Sequence, residues 1–269
     1  MATNILIPHL NPVRLFKLTN DNFDYLKTKD WDTGHQYCQK FKTTDKLRIQ
    51  FAVAQAWSWD SMSASLVDIY DNIISNLSIG VVRVANGFEW KEIEKTLTGL
   101  SGIFLLKISI LEGENEITYY SEPIEITEDE NTILLEYSHD ENDFDVIFFE
   151  YGSQVSKVFQ IRVEGGFSTE GFKPASKDSM YIDQTHNAVM LSSIPFNTRE
   201  LTIGGSLGIP NWLIDKINRI FSCNVVTVDG VGYCKSDGSK FEPTRIAGYT
   251  SGGWKIELSE SVNQYSLTN

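Results

Sequence analysis

The stretch from Leu201 to Lys235, LTIGGSLGIPNWLIDKINRIFSCNVVTVDGVGYCK, constrains the fold more than any other part of the chain. It reads as strand, glycine turn, helix, strand, tight hairpin and strand. Pro210 suits the first turn of a helix, where its missing N–H costs nothing. Leu213, Ile214, Ile217, Ile220 and Phe221 recur at helical spacing and form one apolar stripe over a helix at 210–221. Lys216 lies off that stripe and is expected to matter little. Asp215 and Arg219, four apart, pair on the polar side. Asp229-Gly230 between two β-rich runs is the signal of a type I′ hairpin. The stripe needs a sheet to receive it, so this segment belongs to a β-rich domain.

The rest of the chain is patterned mainly as strands. Leu47, Ile49 and Phe51 alternate with Lys46, Arg48 and Gln50, a period of two. Further strands are expected at Ser65 to Tyr70, Gly80 to Ala85, Gly102 to Ile110 and Ile117 to Ile126. Pro123 inside the last of these argues for an edge or a kink. Trp90, Ile93 and Leu97 share a helical face, which predicts a short helix over 90–97. Polar Glu128 to Asn131 marks a domain boundary. Beyond it, strands are expected at Ile133 to Tyr137, Val146 to Phe149 and Val158 to Val163. Residues 168–180 read as a loop. Met180 to Asp183 then pairs with Ala188 to Leu191, and Arg245 to Tyr249 with Trp254 to Leu258 across Gly252-Gly253. Short strands at this spacing predict two β-sandwich-like domains, 46–130 and 131–269, the second with one short amphipathic helix, a β-hairpin and a polar carboxy-terminal tail. Residues 1–45 are the least regular and read as an amino-terminal arm. Its aromatics Phe23, Tyr25, Trp31 and Tyr37 sit among polar residues, a pattern of loops that pack onto something, either their own domain or a neighbouring subunit. They are the interface candidates.

The formal net charge is −13. So acidic a chain repels phosphate, and its lysines are interleaved with aspartates, so direct nucleic-acid binding is not expected. The opening MATNILIPHLNP carries no basic n-region and no long apolar run, so no secretory signal is expected. No run approaches the roughly 20 apolar residues of a membrane span, and no membrane partner is expected. Cys38, Cys223 and Cys234 fit no metal spacing and cannot all pair. The Asp229-Gly230 turn sets Val228 opposite Val231 and Val225 opposite Cys234, which leaves Cys223 diagonal to Cys234, with Cβ atoms roughly 7 Å apart. A disulfide needs about 3.8 Å, so free thiols are expected, as in a reducing cytoplasm.

No catalytic, cofactor or metal constellation emerges. His9, His35, His139 and His186 each stand alone. Asp140, Glu141, Asp143 and Asp145 invite a calcium loop, but Phe144 takes a ligand position and the required glycine is missing. Gly204-Gly205-Ser206-Leu207-Gly208 fits GxSxG, yet the helix starts late and no βαβ array surrounds it, so a structural turn is expected rather than a nucleophile elbow. The same turn could hold an anion before a helix, but no P-loop lysine follows. Trp57 and Trp59 would share a face in an extended strand and could form a carbohydrate platform.

Several phrases carry a resemblance. FQIRVEGGF (Phe159–Phe167), KPASKDSMYIDQ (Lys173–Gln184), the Leu201–Cys223 segment and VDGVGYCKSDGSKFE (Val228–Glu242) resemble virion proteins of tailed phages infecting gut Bacteroidales, including the crAss-like phages. TYYSEPIEI (Thr118–Ile126) is similar to the end of the amino-terminal β-domain in such proteins. The resemblance covers about half of the chain and carries no catalytic residues. It implies a non-enzymatic neck or tail subunit, a ring-type or connector protein without cofactor. Its partners would be further copies in a homo-oligomeric ring and portal, neck or tail neighbours, in a virion assembled in the host cytoplasm. The alternative is a carbohydrate-binding β-sandwich module using Trp57 and Trp59; a hydrolase using Ser206 is a third reading.

Overall fold

Period-two patterning dominates the molecule as it does the sequence. The structure, a computed structural model, describes residues 4–18, 37–139, 147, 157–205, 208–245 and 252–261. The fold is mainly β and sandwich-like, with a single α-helix among the described residues. The first half holds β1 (Ile5–Leu6), β2 (Leu15–Lys17), β3 (Gln39–Phe41), β4 (Lys46–Ala54), β5 (Ser61–Val67), β6 (Ile73–Leu77), β7 (Ile79–Ala85), β8 (Phe88–Thr96), β9 (Gly102–Glu112), β10 (Asn115–Ser121) and β11 (Ile124–Ile126). The second half holds β12 (Thr132–Ser138), β13 (Phe159–Phe167), β14 (Lys173–Ile182), β15 (Ala188–Ile203), α1 (Asn211–Ile220), β16 (Val225–Val228), β17 (Val231–Lys235), β18 (Glu242–Arg245) and β19 (Gly252–Glu260).

Among the described residues two large hydrophobic cores organise these strands, with a small third cluster of Ala52 and Trp90 on the outer side of β4 and β8. In the first, Leu47, Ile49, Phe51 and Val53 of β4 face Phe104, Leu106, Ile108 and Ile110 of β9. Alternate residues point the same way along a strand, so the sheet β1-β4-β8-β7 closes over the strands around β9 as two layers. In the second, β12, β13, β15, β16 and β19 supply alternating apolar residues, and α1 packs its stripe on them. Leu213, Ile217 and Ile220 are fully buried, and Ile214 and Phe221 nearly so. Pro210 stands just before the helix as its cap, and its carbonyl accepts from the Leu213 and Ile214 amides.

The halves are joined by a buried ion pair and by strand contacts. Arg162 on β13 donates to both carboxylate oxygens of Asp45, at 2.7 and 2.8 Å. Gln39 Nε2 donates to the Arg162 carbonyl at 2.5 Å. The Lys46 amide donates to Gln160 Oε1, and Arg48 Nη1 to the Val158 carbonyl.

Several expectations from the sequence are corrected. Residues 90–96 lie in β8, not in a helix, and Leu97 follows the strand. β8 lies between β4 and β7, and its charged residues are matched across the ladder, Glu94 opposite Arg48 and Glu92 opposite Gln50. Trp90 and Ile93 face opposite sides of the strand, Ile93 in the first core and Trp90 against Ala52, so their offset of three is not a helical face. Residues 168–180 are not a loop: a 3-10 turn at Thr169–Gly171 leads straight into β14. β14 is exposed on both faces, so it needs no alternation to form its ladder. The Gly252-Gly253 pair is no turn. It lies in β19 opposite Arg245 and Thr244 of β18, and residues 246–251 fall outside the described residues. The chain from Ile117 to Ile126 is two strands. Its partners on β9 shift by one residue between Tyr120↔Lys107 and Ile124↔Phe104, a bulge that removes Pro123 from the ladder.

The Asp229-Gly230 turn forms as expected, with φ of 48° and 82°. Its hairpin is short. After Val228↔Val231 and Thr227↔Gly232 the strands part, β16 toward β12 and β17 toward β19. Cys234 therefore lies opposite Ser259 rather than Val225. All three cysteines are free.

The supposed arm is largely built in where it is described. β1 pairs with β4 and β2 with β10. Between them Leu10 is buried in the second core and Val13 in the first. Asn11 bonds both backbone groups of Gln50, at 2.7 and 2.9 Å. Residues 39–45 supply β3 and the Asp45 ion pair.

Candidate assembly interface

The feature that the body of the protein does not use is the hairpin β14–β15. Its base, from Phe196 onward, joins the second core sheet through β13 and β19. Its outer half projects. Met180 pairs with Met190 and Tyr181 with Val189, while Ile182 and Leu191 complete the apolar band. Met180 is 62% exposed and Leu191 65%, and the other four are at least half exposed. Ile194, lower down, is exposed as well. Successive residues point to opposite faces, so the ribbon is apolar on both. Among the described residues β14 pairs only with β15, leaving its outer edge of backbone donors and acceptors open.

The turn at its tip is polar and self-contained. Asp183 and Asn187 close the loop, with the Asp183 amide donating to the Asn187 carbonyl at 3.0 Å. The His186 amide donates to the Asp183 carbonyl, and His186 has φ of 66°. This is a three-residue loop built on a type I turn followed by a left-handed residue. The Asp183 carboxylate accepts from the Thr185 hydroxyl and from the Thr185 and Asn187 amides, at 2.7 to 2.8 Å. Those bonds, the Thr185 hydroxyl first, hold its carboxyl below the usual range. The turn thus presents a firmly ionised group ahead of the apolar band.

Among the described residues the same device occurs once more. Asp68 and Asn72 close the β5–β6 turn in the same way, with Asp71 at φ 66° in the place of His186. Here too apolar residues crowd the tip: Tyr70 is 80% exposed and Ile73 63%, with Ile69 and Ile74 beside them. The spacing Asp-x-x-x-Asn between apolar runs is the signal that would have found both tips.

The residues singled out from the sequence fall elsewhere. Phe23, Tyr25 and Trp31 lie outside the described residues. Tyr37 packs inward, its ring edge-on to Trp212 at 5.8 Å, against the second core. Burial, then nearby Glu122 and Glu164, pushes its hydroxyl well above the ordinary tyrosine range. Arg14 stacks on the same Trp212, 3.4 Å from the ring centre, and bonds Glu122 at 3.0 Å. This cluster is internal mortar between the amino-terminal strap, α1 and the first half.

Trp57 and Trp59 make no platform. Trp57 is buried in the first core and its indole N–H donates to Glu112 at 2.8 Å; Trp59 is half-buried with Lys91 over its ring. Neither lies in a strand.

Ser206 and the acidic run 140–145 lie outside the described residues. The glycines flanking Ser206 are committed to structure. The Gly205 amide donates to the Glu164 carboxylate at 3.1 Å and the Gly204 amide to the Glu164 carbonyl at 2.8 Å. A Cβ on Gly205 would sit 2.1 Å from that carboxylate, and one on Gly208 2.7 Å from the Gly252 amide nitrogen. An anion site or oxyanion hole needs these amides free; Glu164, itself paired with Lys40, already fills the place.

Comparison with protein-family models, curated proteins and solved structures finds no match. The reading of the surface therefore rests on its own chemistry.

Proposed function

We propose that this chain is a non-enzymatic structural subunit that assembles through its β-domains into a larger particle. In the light of its sequence resemblance, it is a neck or tail ring or connector protein of a tailed-phage virion. The observation that carries the reading is the β14–β15 ribbon, apolar on both faces and open along one edge. Monomeric proteins rarely leave contiguous apolar patches beyond a few hundred Å2, and long open edges are ordinarily blunted because they pair with other chains. A subunit that is covered by neighbours has no such need. Its partners are further copies and portal, neck or tail proteins, and segment 20–36, with Phe23, Tyr25 and Trp31, is a second docking element.

Multi-angle light scattering with negative-stain imaging of the purified protein tests this. Closed rings or concentration-dependent oligomers are expected. A glycan-dependent quench of tryptophan fluorescence, or labelling by a fluorophosphonate, in a protein that stays monomeric would point to a binding module or a hydrolase instead.

A further inference from the structure

The ribbon also has a seat that the chain itself can supply. We infer that the β14–β15 hairpin of one copy docks on the β6–β7 edge of a second copy, a head-to-tail contact. This rests on the assembly reading above and adds the surface that receives the hairpin.

β6 and β7 follow each other with only Ser78 between them and run along the margin of the first half. Among the described residues β6 pairs only with β5, and β7 only with β8. β6 is an open edge of the sheet around β9 and β7 an open edge of the sheet β1-β4-β8-β7, and both are apolar: Ile73 and Ile74 on the first and Val81 and Val84 on the second are exposed, Val81 by 58%. One chain therefore carries two unpartnered apolar surfaces, one in each half.

Size suits this pairing as one of two contacts per copy. One face of the ribbon meets four apolar side chains of the edge, on the order of 400 Å2 at roughly 100 Å2 each, and a copy that uses both its hairpin and its edge buries about twice that, near the ~800 Å2 per partner of a stable interface. Charge fits it too. Two copies of a chain with net charge −13 repel each other over most of their surface. Residues 173–194 contain two Lys and two Asp, and residues 69–85 one Asp and one Arg, so both segments are formally neutral. They are surfaces at which two copies meet without that repulsion.

The polar tip argues for a protein seat over a lipid one. A hairpin entering a bilayer tip-first would drag the charged Asp183 carboxylate out of water into hydrocarbon, where ionised side chains are rarely tolerated. Lying across an edge, the ribbon leaves that turn in water.

A contact between unlike patches has a distinctive symmetry. It closes into a ring or grows into a filament, whereas a like-with-like contact stops at a dimer. The test uses two variants of the full chain, Met190→Asp on the hairpin and Ile74→Asp on the edge, with Leu191→Asp and Ile73→Asp as second choices if either melts below the wild type. Each variant alone is expected to be monomeric in sedimentation velocity, its association weakened at least tenfold. Mixed one to one, they are expected to form dimers that grow no further, because one intact hairpin still meets one intact edge. If the wild type assembles but the mixture stays monomeric, the edge is not the seat and the inference falls, while the assembly reading stands. If the wild type stays monomeric to on the order of 100 µM, both fall. Binding of the wild type to phosphatidylglycerol vesicles, lost in Met190→Asp, would also overturn the inference.

Discussion

Lys216 Nζ donates to the carbonyl oxygen of Asn11 at 2.7 Å, across 205 residues of sequence. It also reaches the Pro12 carbonyl at 3.3 Å and lies 5.5 Å from the centre of the Trp212 ring. The lysine is completely buried on α1. It is the peg that holds the amino-terminal strap to the second core just where the strap crosses toward the first.

The reading of Lys216 as a solvent-facing residue is thereby overturned, and its mutational consequence reverses. Lys216→Met keeps most of the stem but leaves two buried carbonyls without their donor, at a cost of about 1–3 kcal/mol. For a chain of this length that is roughly 2–4 °C in Tm per kcal/mol. Ile217→Ala, which empties the centre of the stripe, should cost about 2–5 kcal/mol. Thermal unfolding of both variants should show comparable losses; a silent Lys216→Met would contradict the peg.

The Asp45–Arg162 pair should be the most sensitive single contact between the halves. Both side chains are buried, and removing one partner leaves the other charge uncompensated, at about 3–5 kcal/mol. Asp45→Ala should lower the urea midpoint by that measure. The double variant Asp45→Ala with Arg162→Met should lose much less than the sum of the single changes. Additive losses would mean that the two charges act independently.

What could be read from the sequence follows where one face is buried. β4, β9 and α1 each have one apolar face and one other, and their periodicity predicted them. β8 was misread because its apolar residues serve both faces: Ile93 packs in the first core and Trp90 against Ala52 on the other side, and that offset of three, with Leu97 just beyond the strand, looked helical. Lys216 was misplaced because a lysine off the apolar stripe normally reaches solvent, and nothing local to α1 reveals that the Asn11–Pro12 backbone will cover it. The β14–β15 ribbon was half read. Its tip strands were found from their apolar residues, but its length was missed because neither face is buried within the chain. The two turns are legible in the spacing Asp-x-x-x-Asn between apolar runs.

Acid should weaken the first half through Glu94. Burial would raise its carboxyl, but the Arg48 and Lys46 hydrogen bonds outweigh it and hold the pKa at about 2, against an ordinary 4.5. Because the folded value is the lower one, this stabilisation is fully present above about pH 4.5 and disappears as the pH falls toward 2. Glu94→Gln should flatten the dependence of stability on pH across that window and leave its slope above pH 5 unchanged, as measured by denaturant titration at each pH.

The thiols should react in the order of their exposure. Cys234 is exposed, Cys38 half-buried with its pKa raised, first of all by burial, and Cys223 buried in the second core. A thiol reagent under native conditions should modify Cys234 first and Cys223 only on unfolding. Labelling of Cys223 as fast as Cys234 would contradict the packing of the α1–β16 connection.

The central claim, that the β14–β15 hairpin is an assembly element, is met most directly by hydrogen exchange on the free monomer and on the assembled protein. The account predicts that amides along the open edge of β14, from Asp178 to Ile182, exchange freely in the monomer and become protected in the assembly, while the Asp183–Asn187 turn changes little. Equal exchange of residues 178–182 in both states would contradict it and remove the hairpin from the interface.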